Sequence, residues 1–166
     1  MDYLSQVPLT LATTIAGLAA GTTTTLTIAN DVQFAIRGKG YKKSAASNAA
    51  TPTTDATTGS AFSAIPAGSG CVFVIGLDSS GAIKVSQGSV NVMDGATGGS
   101  TAKFTTNSPQ FPAVPDTVCP IGYLVTKVGT SGSAWTFGSS NLAGPPSNVL
   151  HTFVDCFTLP DRPQVA

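Results

Sequence analysis

Residues 71–92, CVFVIGLDSSGAIKVSQGSVNV, constrain the fold more than any other stretch of this chain. Cys71 to Leu77 is an unbroken apolar run of strand-favouring residues, as expected of a strand buried on both faces. Asp78-Ser79-Ser80-Gly81 supplies a turn. Asp can bond the backbone two residues on, and Gly81 can take the positive φ that closes a short hairpin loop. The return segment alternates, with Ile83, Val85 and Gln87 on one face and Lys84 and Ser86 on the other. A buried strand beside a half-exposed one belongs at the centre of an antiparallel sheet.

Composition argues the same way. Only 10% of the 166 residues are charged, against roughly 25% in an average domain. All eight acidic residues are Asp, so the residues that usually coat the wet face of a helix are scarce. Net charge is zero, which gives no electrostatic footprint for nucleic acid or an anionic membrane. Arg37, Lys39, Lys42 and Lys43 form one basic cluster, which reads as a solvated edge or turn, with a phosphate or nucleic-acid contact as the alternative. Cys71, Cys119 and Cys156 are far apart, odd in number and set in or beside apolar runs, so they read as buried free thiols. The opening MDYLSQVPLTLATTIAGLAAG lacks a basic n-region and has Pro8 ahead of its apolar part, so it reads as mature sequence. No stretch approaches the roughly 18 apolar residues of a membrane span.

Along the chain, residues 1–21 predict an extended arm or a short helix, and residues 22–166 a single β-domain. TTTTLTIA alternates, with Leu26 and Ile28 facing one way. Asn30-Asp31 then suggests a two-residue turn into VQFAIRG, whose buried face would carry Phe34 and Ile36. Gly38 and Gly40 bracket Lys39 at a second turn or bulge. Residues 44–60 hold no large apolar side chain; a surface loop ordered against a partner, a flexible loop and a short Ala-rich helix are the three readings. Phe62 and Ile65 restart the structure, and residues 93–108 form a second weak region, rich in Gly and Thr. Pro109, Pro112, Pro115 and Pro120 cannot donate to a ladder, which places their segment at an edge or in an extended crossing. Ile121–Val128 alternates as a strand, then come Trp135 and Phe137, and residues 149–159 form the last strand. The sum is an all-β antiparallel sandwich or barrel of about six to eight short strands with long Gly/Thr/Pro loops.

No catalytic, cofactor-binding or metal-ligating residue is assigned. His151 is the only histidine. Asp155 shares its strand face but lies about 13 Å away at the usual rise, too far to orient it as a catalytic base. Residues 78–81 lack the rest of a calcium-loop ladder, Asp94 and Asp116 stand alone, and Gly98-Gly99 is followed by no phosphate-loop GK pair. Tyr3, Tyr41, Tyr123, Trp135 and the eight Phe read as core, with a sugar platform as the functional alternative.

Three segments carry a resemblance: FAIRGKGYKKSAASN at 34–48, CVFVIGLDSSGAIKVSQG at 71–88 and FPAVPDTVCPIGYLV at 111–125, with WTFGSSN and TFVDCFTLPDRPQ after them. Together they resemble small β-rich proteins encoded among the virion structural genes of tailed phages, of the head decoration (cement) or head- and tail-fibre type. The resemblance implies a non-enzymatic virion protein made in the host cytoplasm. It would sit on the capsid surface as a homotrimer bound to the major capsid protein, with no cofactor, nucleic acid or membrane. A receptor- or glycan-binding module of a fibre is the alternative, and a small hydrolase or lyase using His151 is the reading from the enzyme class. The residue-level expectation is that residues 1–20 and 44–60 make the attachment interface.

Overall fold

The computed structural model describes residues 9–105 and 108–165. These contain no helix and eleven strands in three antiparallel sheets, which pack as a sandwich without closing into a barrel. The strands are β1 (Leu11–Ala12), β2 (Leu18–Ala20), β3 (Leu26–Ile28), β4 (Val32–Ile36), β5 (Lys39–Lys43), β6 (Ala46–Ala49), β7 (Ser69–Asp78), β8 (Ile83–Gln87), β9 (Asn91–Val92), β10 (Val118–Val128) and β11 (Val149–Asp155).

The central sheet runs β11-β10-β7-β8, with β9 continuing beside β7. The hairpin forms as its sequence dictates: β7 is buried along nearly its whole length and β8 pairs with it from Leu77↔Ile83 to Phe73↔Gln87. In the turn, Asp78 Oδ1 accepts from the backbone N–H groups of Ser80 (2.9 Å) and Ala82 (3.0 Å), and Gly81 has φ 78°. β10 is longer than its alternating part because Pro120 is inside it. The position is tolerated for two reasons. The β7 register shifts between Pro120 and Gly122, and β11 pairs only from Gly122 onward, so the missing N–H breaks no ladder bond there.

The expected hairpin at Asn30-Asp31 does not form. β3 and β4 belong to different sheets, ordered β2-β3-β6 and β1-β4-β5. Their registers show the two to be halves of one three-stranded ribbon, bent at residues 13–17, 29–31 and 44–45. Asn30 and Asp31 clamp that corner from both sides instead of closing a turn: Asn30 Nδ2 donates to Ile15 O (3.2 Å), and Asp31 Oδ1 accepts from Ala45 N (2.9 Å). The tight turn falls one step later, where Arg37 (φ 50°) and Gly38 (φ 79°) both lie in the left-handed region of a type I′ hairpin.

The ribbon also corrects the expectation of an arm or short helix. Residues 9–20 supply β1 and β2, and Ala12, Ala16 and Leu18 are buried in the main core. Residues 1–8 lie outside the described residues. Residues 44–60 are likewise ordered against the protein itself, through β6 and a turn described below, and contain no helix.

All three sheets contribute to the main core. Its centre is aromatic, with Phe73 against Phe137 (5.2 Å between centroids), Trp135 (5.9 Å) and Phe62 (6.2 Å), mostly edge-to-face. The other face of the central sheet buries Val72, Tyr123 and Val125 under Phe104, Phe111, Leu159 and Val165. Both faces of β7 and β10 are therefore covered, which is why their sequences read as apolar without interruption.

Candidate functional site

The sequence candidates are occupied structurally. His151 Nδ1 lies 3.0 Å from Thr126 Oγ1, and its ring packs on Trp135 at 4.6 Å. Burial lowers its pKa from 6.5 to about 4; the Asn141 carbonyl opposes this. That carbonyl already accepts from Trp135 Nε1 (3.0 Å), and His151 Nε2 is buried with no partner. Asp155 Oδ1 accepts from Leu18 N (3.0 Å), tying β11 to β2. The pair is not a base and its orienting acid.

The three thiols are unpaired, with Cys71 and Cys119 buried and Cys156 half-buried. Burial pushes Cys71 up to about 12 and Cys119 and Cys156 up to about 11. A thiol held protonated is a poor nucleophile and a poor metal ligand. Among the described residues no cluster of three His, Cys, Asp or Glu side chains is placed to hold a metal. Lys39, Lys42 and Lys43 lie on β5, an edge strand, where lysines discourage sheet-to-sheet pairing. Arg37 pairs with Asp116, Lys42 with Asp31 at 2.7 Å and Lys84 with Asp78 at 3.6 Å. The Lys42 bond holds the Asp31 carboxyl below the usual range. Burial acts to raise Asp78, but its bonds to Ser80 and Ala82 outweigh that and lower it. Lys127 is covered by the Phe104 ring, 5.8 Å from its Nζ, and burial lowers its pKa.

What the sequence did not single out is the surface beside Gln87–Asn91. Asp55, in the apolar-poor segment 44–60, is buried at 6% exposure. Its Oδ1 accepts from Thr57 N (2.9 Å) and Thr58 N (2.7 Å), and its Oδ2 accepts from Gln87 N (2.5 Å). Ala56 N donates to Val85 O (2.8 Å). One turn thus seals the outer edge of β8, with a carboxylate in place of a neighbouring strand. Thr57 Oγ1 then donates to Ala113 O (2.7 Å), tying that turn to the proline-rich segment. The Gln87 carboxamide is fixed by Ser63, accepting from its N (2.8 Å) and donating to its O (2.9 Å).

Three adjoining depressions of about 410, 190 and 420 Å³ follow this rim, sharing Ser89. Hydroxyls and carboxamides share the lining with apolar surface, which prevails in the middle depression at Phe111, Pro112 and Ala113, and Arg162 stands at one end. No family model, curated protein or solved structure matches this chain. Its chemistry must be read from the surface itself.

A second surface stands out by hydropathy. Leu9, Ile15 and Phe157 are 61%, 49% and 48% exposed; within the sheets the large apolar side chains are mostly buried, Val92 on β9 at 65% being an exception. Phe157 O accepts from Ala12 N (2.9 Å), and Leu9 and Ile15 each stand three residues from Ala12. Leu9 and Ile15 flank β1 in the chain, and Phe157 lies on the C-terminal segment bonded to that strand.

Proposed function

We propose that this chain is a non-enzymatic virion structural protein of a tailed phage. It acts as a decoration protein that binds the outside of the head as a homotrimer, with the major capsid protein as partner. The observation that carries the reading is the exposure of the large apolar side chains Leu9, Ile15 and Phe157 around β1, on a domain where His151, Asp155 and Asp55 are taken up by the fold itself. The sequence resemblance to phage head and fibre proteins supports it. Full burial of an aliphatic or aromatic side chain contributes roughly 1.5–3 kcal/mol, so these half-exposed ones offer about 1 kcal/mol each to an interface. A trimer would engage three such sets of side chains at once and gain by multivalency. A subunit that binds the assembled shell and not free coat protein stabilises the shell by mass action.

This interface takes Leu9 and Ile15 from within residues 1–20, of which 9–20 form part of the ribbon, and leaves out segment 44–60, where Asp55 seals β8. The test is sedimentation with shells lacking the protein, using wild type and a Leu9→Ser, Ile15→Ser, Phe157→Ser triple variant. Wild type co-sediments as a trimer and raises the shell melting temperature, while the folded triple variant stays in the supernatant. A triple variant that decorates like wild type, or a wild-type monomer that ignores shells, overturns the reading.

A further inference from the structure

We propose that the groove along Gln87–Asn91 binds a neutral oligosaccharide. The groove includes none of Leu9, Ile15 and Phe157, so the inference does not depend on shell binding.

The walls are built, not incidental. Asp55 pins one wall to the sheet at Gln87 N, and Thr57 bolts it to the other wall at Ala113 O. Gln87 is held at both ends of its carboxamide. A polar surface pre-set on a sheet edge binds without the cost of ordering loops first.

Its chemistry selects the ligand class. Among the described residues, the hydroxyls of Ser60, Ser63 and Ser89 make no hydrogen bond to the protein, and Asn91 and Gln110 add carboxamides able to donate and accept. Polyols present the matching pattern of paired donors and acceptors. The carboxylate in the groove is buried and engaged by three backbone N–H groups, and no second carboxylate lines the groove to share a cation with it. One exposed arginine, Arg162, is too little charge for a nucleic acid backbone. An extended peptide adding to the sheet is disfavoured, because Val85 O and Gln87 N already have partners.

The experiment uses the ¹⁵N-labelled full chain. It is titrated to about 10 mM, the range where weak lectin-like binding still saturates, with linear tetrasaccharides of glucose, mannose, galactose and N-acetylglucosamine. A sialylated oligosaccharide serves as the charged control. The expected result is saturable amide shifts confined to residues 60–63, 87–91 and 108–113 with at least one neutral sugar. An Asn91→Ala, Gln110→Ala double variant then weakens binding by about tenfold or more with its melting temperature unchanged. Silence with every neutral sugar, shifts elsewhere on the domain, binding only to the sialylated chain, or an unaffected double variant each overturns the proposal. Shell sedimentation of the same double variant reads the attachment surface independently, so the two proposals fail separately.

Discussion

The sharpest prediction concerns His151 and acid. Burial holds its pKa at about 4, against 6.5 in an unfolded chain. The imidazole faces Trp135 and Thr126, with no carboxylate bonded to it and Nε2 without a hydrogen bond, so only the Asn141 carbonyl favours an imidazolium, and burial outweighs it. The sign follows directly. Above pH 6.5 both states are neutral at this site and stability is full. As pH falls below 6.5 the unfolded chain takes up a proton and the folded protein does not until about 4. Each unit of difference is about 1.4 kcal/mol, so the complete loss is about 3 kcal/mol, of which about 2.5 kcal/mol accrues by about pH 4.5. Asp31, Asp78 and Asp94 are held below the usual 3.8 and lose their contribution at still lower pH, leaving the upper window to the histidine. Urea unfolding at about pH 7.5 and 4.5 measures the loss, and the Hε1 proton resonance of the one histidine reports its folded pKa. In His151→Asn the acid slope across this window should vanish, at a cost of about 1–2 kcal/mol at neutral pH for the lost ring packing. A resonance titrating near 6.5, or an unchanged slope in the variant, refutes the argument.

Other substitutions probe other parts. Asp55→Ala leaves the N–H groups of Thr57, Thr58 and Gln87 without their acceptor and should cost about 3 kcal/mol in urea unfolding, with faster hydrogen exchange at Gln87. A Cβ at Gly122 would lie 2.4 Å from Leu18 Cδ1 and 2.5 Å from Val154 O, so Gly122→Ala should destabilise by about 2 kcal/mol or more, read as a lowered melting temperature. The three thiols should stay unreactive to a disulfide reagent at about pH 8 in the native protein and all react after denaturation. Removing residues 1–20 deletes β1 and β2 and should abolish cooperative thermal unfolding.

The central hairpin was legible because its two periodicities differ: continuous apolar residues for a strand covered on both sides, alternation for its half-covered neighbour. Pro120 pointed to an edge or an extended crossing, and the structure instead holds it inside β10, with a bulge and the end of β11 sparing the ladder bond. The ribbon was not legible. β1, β2 and β6 are two to four residues long, below the length at which a period can be recognised, and small residues such as Ala12 and Ala16 read as neutral although fully buried. Asn30-Asp31 has the composition of a turn, but turns and corners use the same side-chain bonds. Asp55 was hidden for a related reason. A carboxylate among Thr, Ala and Gly signals solvent, and only its three backbone donors from two separate segments reveal a buried clamp.

The bond between Ala12 N and Phe157 O has a kinetic side. It joins the first described strand to the segment after the last one, and β7 waits for β10 across a long intervening excursion. A fold closed by such distant pairings pays most of its loop-closure entropy before the central sheet is complete, which places refolding in the millisecond-to-second range typical of non-local β topologies. On the ribosome, β7 and β8 would emerge as a hairpin with an uncovered apolar face and remain so until β10 is made. Expression at low temperature, or with a holdase chaperone in excess, should therefore raise the soluble yield without changing the native protein.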